Sequence, residues 1–220
     1  MQKKAVIFDL DGTLIDSIQD IALCTNQVLE KLGHKTHPLD AYQNFVGDGA
    51  LMLINNALHD NVSKETVEKA LELFKNIYGD KIHENTKPYV GIYEMLDSIK
   101  HIDLHLTVLS NKPHPFTVEF INHFFKDYPF VEIHGQKEDV PKKPHPQGAF
   151  NIAKSLDLDP QDIIFVGDTP TDIKTAKSAG IYSVGVSWGY RSVEELQEAQ
   201  ADIIAKDPQH LAQILLSDDF

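Results

Sequence analysis

Val6-Ile7-Phe8-Asp9-Leu10-Asp11-Gly12-Thr13 is the stretch on which the reading of this 220-residue chain turns. A short apolar, β-favouring run ends in two carboxylates one residue apart and is followed at once by a glycine. Two acids brought together at the end of a buried strand cost free energy unless a cation or a reaction uses them. Gly12 lets the backbone turn sharply, which sets both acids at the mouth of a sheet. Asp-Gly is also an ordinary turn signal, so the stretch alone reads equally as a strand closed by turn-forming acids.

Working outward, residues 5–10 are joined by five further short apolar runs that read as buried strands: 104–110, 131–134, 163–168, 182–186 and 202–205. Amphipathic stretches lie between the later ones, at 92–100, 116–125, 147–156, 172–179 and 193–199. This alternation predicts an α/β fold with a mainly parallel, doubly wound sheet. Residues 16–87 interrupt it. Stretches 18–32, 39–59 and 63–83 carry helical periodicity and no convincing strand, more than one crossover helix can use. They read as an inserted α-helical cap, residues 16–87, on an α/β core made of residues 1–15 and 88–220. Lys87-Pro88-Tyr89-Val90-Gly91, punctuated by Pro and Gly, is the expected return linker.

Composition narrows the partners. A net charge of −13 argues against DNA or RNA, whose phosphates call for a basic face, and against docking on anionic membranes. A small anionic substrate is compatible with it, because a metal ion and a few donors reverse the potential locally. Cys24 is the single cysteine, so no intrachain disulfide forms, and its apolar helical setting reads as core. Met1-Gln2-Lys3-Lys4 precedes only four apolar residues, too few for a signal peptide, and no run reaches transmembrane length. A cytoplasmic location is the expectation; the oligomeric state is not encoded in any pattern.

Ligands of open α/β sheets bind at the carboxyl ends of the strands. The first predicted strand ends at Asp9 and Asp11, the second in Ser110-Asn111-Lys112, the fourth in Gly167-Asp168-Thr169-Pro170-Thr171-Asp172. Asp168 and Asp172 are also good capping and dipole-complementing residues for a helix opened by Pro170. In Lys142-Lys143-Pro144-His145-Pro146 the prolines stiffen the loop, so a lysine there can be aimed, although solvated lysine pairs are commoner. Four acids, a hydroxyl and a lysine at one rim make a coherent set. Carboxylates suit a hard cation such as Mg2+, lysine and serine suit phosphoryl oxygens, and an aspartate can be the nucleophile.

In this order, Asp9-Leu10-Asp11-Gly12-Thr13, Ser110, Lys143-Pro144 and Gly167-Asp168-Thr169-Pro170-Thr171-Asp172 resemble the four motifs of the haloacid dehalogenase superfamily of phosphohydrolases. No single motif is decisive; the ordered set is specific. The resemblance spans essentially the whole chain, since members of this branch carry a helical cap after the first strand. Within the superfamily the chain is most similar to phosphoglycolate phosphatases, through Asp11-Gly12-Thr13-Leu14-Ile15-Asp16-Ser17, Val46-Gly47-Asp48-Gly49-Ala50, Ser110-Asn111-Lys112-Pro113, Lys142-Lys143-Pro144-His145-Pro146 and Trp188-Gly189-Tyr190. Related pyrophosphatases and sugar-phosphate phosphatases share several of these.

The resemblance implies that Asp9 attacks phosphorus and expels an alcohol that Asp11 protonates. Asp11 then takes a proton from the water that hydrolyses the aspartyl-phosphate. A phosphate dianion beside Asp11 favours the protonated acid that the first step needs. Mg2+ would be held by the carboxylates of Asp9 and Asp168 and the backbone carbonyl of Asp11, with Asp172 orienting metal waters or Lys143. Ser110, Asn111 and Lys143 would bind the substrate. Gly47 and Gly49 would bring bare cap amides near it, or simply join two cap helices. The implied substrate is a small phosphorylated metabolite, 2-phosphoglycolate first. The cap holds no arginine to clamp a carboxylate, the only one being Arg191, so sugar phosphates, nucleotides and pyrophosphate stay open as alternatives.

Three rivals use overlapping residues. A phospho-accepting signalling module shares Asp, Mg2+, hydroxyl and lysine, but would not need Asp11 or a cap. A haloalkanoate dehalogenase would not need the metal acids. A silent binding protein would not need the whole set. His101 and His105 have helical metal-ligand spacing but straddle a helix-to-strand transition, and Trp188 reads as packing.

Overall fold

The computed structural model describes residues 3–58, 62–81 and 83–217. In chain order these form β1 (Ala5–Phe8), β2 (Ile15–Asp16), α1 (Ile18–Lys31), α2 (Tyr42–Phe45), α3 (Ala50–Ala57), α4 (Lys64–Lys81), β3 (Lys87–Pro88) and α5 (Ile92–Ile99). There follow β4 (His105–Pro113), α6 (His114–Phe124), β5 (Phe130–Gln136), α7 (Gln147–Ser155), β6 (Ile163–Gly167) and α8 (Pro170–Ala179). The chain closes with β7 (Tyr182–Val186), α9 (Val193–Glu198), β8 (Ile203–Ala205) and α10 (Pro208–Leu216).

All four residues of β1 are buried because the strand is central and covered on both faces. Side chains alternate across it: Ala5 and Ile7 pack with Ile152, Ala153 and Ala176 of α7 and α8, while Val6 and Phe8 pack with Ile92, Leu96 and Leu211 of α5 and α10. Parallel pairing fixes the register on either side, Phe8 opposite Val108 and Val166. The sheet order is β5-β4-β1-β6-β7-β8, every pair parallel. The chain leaves β1 toward β4 and leaves β6 toward β7, so the order reverses between β1 and β6, where an open α/β sheet binds its ligand.

The expected strands and core helices are present, with shifted ends. β1 stops at Phe8 rather than at residue 10, because Asp9-Leu10 already enters a tight turn: Leu14 N donates to Leu10 O (2.9 Å) and Gly12 N to Ile15 O (2.9 Å), with Gly12 at φ +88°. β4 runs three residues past its expected end, with a register irregularity between Leu109 and Pro113, and so carries Ser110, Asn111 and Lys112 across the sheet's edge. The stretch expected helical over 39–59 is broken. Gly47 (φ +109°) and Gly49 (φ +87°) adopt backbone conformations no helix uses, and separate α2 from α3. His59, the predicted end of that stretch, lies outside the described residues, as do Met1, Gln2 and Ile82.

Helices α1 to α4 pack on one another, and a two-stranded antiparallel ribbon ties their base, Ile15 opposite Pro88 and Asp16 opposite Lys87. Strands of two residues leave no alternation to read in a sequence. Buried Asp20 on α1 completes this base by accepting from Asn85 N and Nδ2 and from Thr86 N and Oγ1 at 2.6–3.0 Å. Burial pushes its carboxyl up, but the hydrogen bonds from Thr86 and Asn85 prevail and hold it below the usual range.

Candidate active site

Asp9 leaves the end of β1, Asp168 the end of β6, Ser110 lies late in β4, and all are buried. Lys143, from the proline-stiffened loop before α7, is buried too and reaches between two acids: its Nζ is 2.8 Å from Asp9 Oδ1 and 2.7 Å from Asp172 Oδ1. Carboxylate oxygens of Asp9, Asp168 and Asp172 all lie within 4.8 Å of one another. Residues 163 positions apart in the chain, Asp9 and Asp172, thus meet at the point where the sheet order reverses.

Asp172 is held at the start of α8 by a reciprocal cap. Its Oδ2 accepts from Thr169 N (3.0 Å) and Thr169 Oγ1 (2.7 Å), while its own amide faces the Thr169 hydroxyl. With Oδ1 taken by Lys143, both its oxygens are engaged, so it positions the lysine. Asp168 accepts from Thr13 Oγ1 (3.2 Å) and Tyr190 N (2.8 Å). Glycines make room for it: a Cβ at Gly12 would sit 2.2 Å from Asp168 Oδ2, and one at Gly189 2.2 Å from Asp168 Cβ.

Three buried carboxylates face one ammonium, an excess of negative charge that the fold does not balance. Burial, with the neighbouring Asp172 charge and against the pull of Lys143, pushes Asp9 up to about 7. Burial and the Asp9 and Asp172 charges push Asp168 well above the carboxylate range. Burial opposes the charge on Lys143, yet Asp172 and Asp9 together outweigh it and raise its pKa. Clustered hard oxygen donors lacking positive charge are the chemistry a divalent cation completes.

Asp11 turns the other way. Lys112 Nζ lies 2.9 and 3.0 Å from its two carboxylate oxygens, and Ser17 Oγ donates to Oδ1. Ser17 is in turn fixed by its amide donating to Tyr190 Oη, 3.1 Å. Asp9, Asp11, Ser110 and Lys112 open into a cavity lined from the helical insertion by Gly47, Gly49 and Tyr78. Ser110 Oγ accepts from Lys112 N (3.1 Å), which leaves its proton for a ligand.

A family model described as haloacid dehalogenase-like hydrolase matches residues 6–186. The chain is a haloacid dehalogenase-like hydrolase. The phosphoglycolate phosphatase of Pseudomonas syringae pv. tomato is 32% identical to this hydrolase over 98% of the chain and 84% of the relative. That of Pseudomonas fluorescens is 34% identical over 91% and 75%. Among solved structures, a predicted phosphoglycolate phosphatase from Haemophilus somnus superposes with a TM-score of 0.91 at 28% identity, covering 97% of this chain and 98% of that one. A predicted phosphatase from Clostridium acetobutylicum gives 0.88 at 29%, covering 98% and 99%. The hydrolase is of the phosphatase type, with the α/β core of its relatives.

Other expected site residues take more specific places in the hydrolase. Asn111 spends its amide as a bracket: Oδ1 accepts from Lys143 N (2.9 Å), and Nδ2 donates to Lys143 O (3.1 Å) and Gly47 O (3.0 Å). Its side chain aligns the lysine loop with the insertion, at the wall of the cavity that Asn111 helps to line. Arg191 crosses to the insertion but binds Asn44 Oδ1 (3.0 Å) and the carbonyls of Asn44 and Val46 (3.4 Å each), outside the cavity. The sequence reading assigned no role to Lys112, Thr13, Ser17 or Tyr78. The first three stand inside quoted motifs, which was the available signal; Tyr78 looked like one more apolar position of a helix. Among the described residues His101 and His105 form no metal cluster, and no helix is long and apolar enough to cross a membrane.

Proposed function

We propose that this hydrolase releases phosphate from a small phosphomonoester, 2-phosphoglycolate before others, through an aspartyl-phosphate on Asp9 and with Mg2+ as cofactor. One observation carries the reading: Asp168 and Lys143 converge on Asp9, which itself lines the cavity, with Lys143 fixing one Asp9 oxygen. Relatives named phosphoglycolate phosphatase support the substrate.

The acidic cluster fits a divalent cation. The carboxylates of Asp9 and Asp168 and the backbone carbonyl of Asp11 would hold it, and when bound it supplies positive charge against the carboxylates and the phosphoryl oxygens. The chain's own groups do the rest. An Asp9 oxygen attacks phosphorus as the bond to the leaving oxygen breaks, and Asp11 gives that oxygen its proton. Water then attacks the same phosphorus, Asp11 takes a proton from it, and the bond to Asp9 breaks to free phosphate. Ser110 Oγ and Lys143 Nζ donate to the phosphoryl oxygens throughout, and Asp172 keeps Lys143 aimed. Residues 16–87 act as a cap on the core of residues 1–15 and 88–220, keeping bulk water from the first step.

Phosphate release is the test, over two- and three-carbon phosphoacids, sugar phosphates, nucleotides and pyrophosphate, with Mg2+ and with chelator. The expected result is highest kcat/KM on 2-phosphoglycolate, no turnover in chelator, and no turnover by Asp9→Asn. No release from any of them with Mg2+ present would overturn the proposal in favour of a binding protein.

A further inference from the structure

Most polar groups around the cavity are committed to phosphoryl transfer. Lys112 is not. It is the one cationic side chain among the cavity's lining residues, it is buried, and its ammonium bonds to Asp11 and Tyr78, not to the Asp9–Asp168–Asp172 cluster. Its Nζ contacts both oxygens of Asp11 and donates to Tyr78 Oη at 2.8 Å. Tyr78 belongs to the insertion, is fully buried, and among the described residues its hydroxyl proton has no acceptor. A cation from the core and a free donor from the helices above therefore converge beside the carboxyl that faces the leaving oxygen.

We propose that Lys112 and Tyr78 form the subsite for an anionic substituent of the leaving group, specifically a carboxylate on the carbon next to the ester oxygen. The inference rests on the functional reading above and deepens it by naming what selects the substrate. Geometry dictates the position. The leaving oxygen must contact Asp11 to receive its proton, and a carboxylate carbon two bonds further on falls within reach of an ammonium already touching Asp11. Lys112 then turns one of the two N–H groups it gives Asp11 to the carboxylate, and the Tyr78 proton is satisfied by it. The absent arginine is thereby replaced by a lysine from the core. The rest of the wall argues against a polyol, since Ile21, Leu53, Phe74 and Phe116 offer no partner for sugar hydroxyls, which are costly to bury unpaired. A simpler role, in which Lys112 only neutralises Asp11, would touch every phosphomonoester alike.

That difference is the experiment. kcat/KM is measured with Mg2+ on 2-phosphoglycolate and on ethyl phosphate, which replaces the carboxylate by a methyl group. Wild-type enzyme is expected to favour phosphoglycolate by roughly 100-fold or more, and Lys112→Met to bring the ratio below about 10, whatever it does to the common rate. Should Lys112→Met fail to fold, Tyr78→Phe decides, with an expected fall in the ratio of about 5-fold or more. Binding of both compounds to the non-turnover Asp9→Asn protein, by calorimetry, reads the same preference without chemistry. A wild-type preference that survives in Lys112→Met, or in Tyr78→Phe where that variant decides, overturns this inference and leaves the proposed function standing. Absence of the preference in wild-type enzyme overturns this inference and the choice of 2-phosphoglycolate, while phosphate release from either compound keeps the phosphatase reading.

Discussion

A proton and a cation compete for the oxygens of Asp9. Burial lifts this carboxyl to about 7, and burial with the Asp9 and Asp172 charges lifts Asp168 as well, so the metal-free protein holds protons there that an unfolded chain has released. The sign follows: between roughly pH 4 and 7 the folded state binds more protons than the unfolded one, so this site's contribution to stability falls as the pH rises through that interval. A divalent cation reverses the balance by displacing the proton. Mg2+ affinity is expected to drop by about tenfold or more per pH unit below pH 7, tenfold for each proton displaced, with proton release on binding measured by calorimetry in buffers of different ionisation heat. Asp9→Asn should flatten the slope. The glycine walls make a second expectation at this scale. A methyl at Gly189 would stand 2.2 Å from Asp168 Cβ and 2.5 Å from Gly12 O, a clash that flexible side chains cannot absorb. Gly189→Ala should weaken Mg2+ binding at least tenfold or lower the melting temperature outright.

Among elements, those legible in the sequence were the ones built on local pattern. β1 and β6 are continuous apolar runs because parallel strands covered on both faces have nothing polar to alternate with. Asp9, Asp168 and Lys143 could be named because each follows a strand or stands in a proline-held loop, where the backbone itself aims a side chain. What stayed hidden was decided by partners far along the chain. Lys112 meets Tyr78 across 34 residues and Asp11 across 101, and neither spacing has a signature. The break between α2 and α3 was written in Gly47 and Gly49, but helical periodicity on both sides masked it. The base of the insertion was equally hidden, since it depends on one buried acid. Asp20 accepts from the backbone and side chains of both Asn85 and Thr86, so Asp20→Ala would strand several donors at once. The expected cost is about 2–4 kcal/mol. Thermal unfolding at neutral pH checks it. Because its carboxyl is held below the usual range, wild-type protein should lose this contribution as the pH falls through the lowered pKa, and Asp20→Ala should not.

Viewed whole, the molecule closes over its cavity through one short segment. Four residues of the core reach residues 44–49: Asn111 on Gly47 O, Lys142 Nζ on Asp48 O (2.7 Å), Thr171 Oγ1 on Asp48 Oδ1 (3.0 Å), and Arg191 on Asn44 and Val46. On the opposite side the insertion is anchored by the β2–β3 ribbon, so the proposed cap motion would part residues 44–49 from the core together with the Lys112–Tyr78 bond. These contacts are single hydrogen bonds, several of them solvent-exposed, each stabilising by about 0.5–1.5 kcal/mol. Their sum suits a closure that must be undone in every turnover. Arg191 makes the largest share of them yet lines no part of the cavity, so Arg191→Ala should disturb closure without touching the phosphoryl site. The expected outcome is a KM for the preferred substrate raised about 3- to 10-fold, with faster proteolytic cleavage near residues 44–49 and no loss of Mg2+ affinity. An unchanged KM together with unchanged proteolysis would place the closing force in Asn111 and Lys142 instead, and Lys142→Ala would then carry the effect.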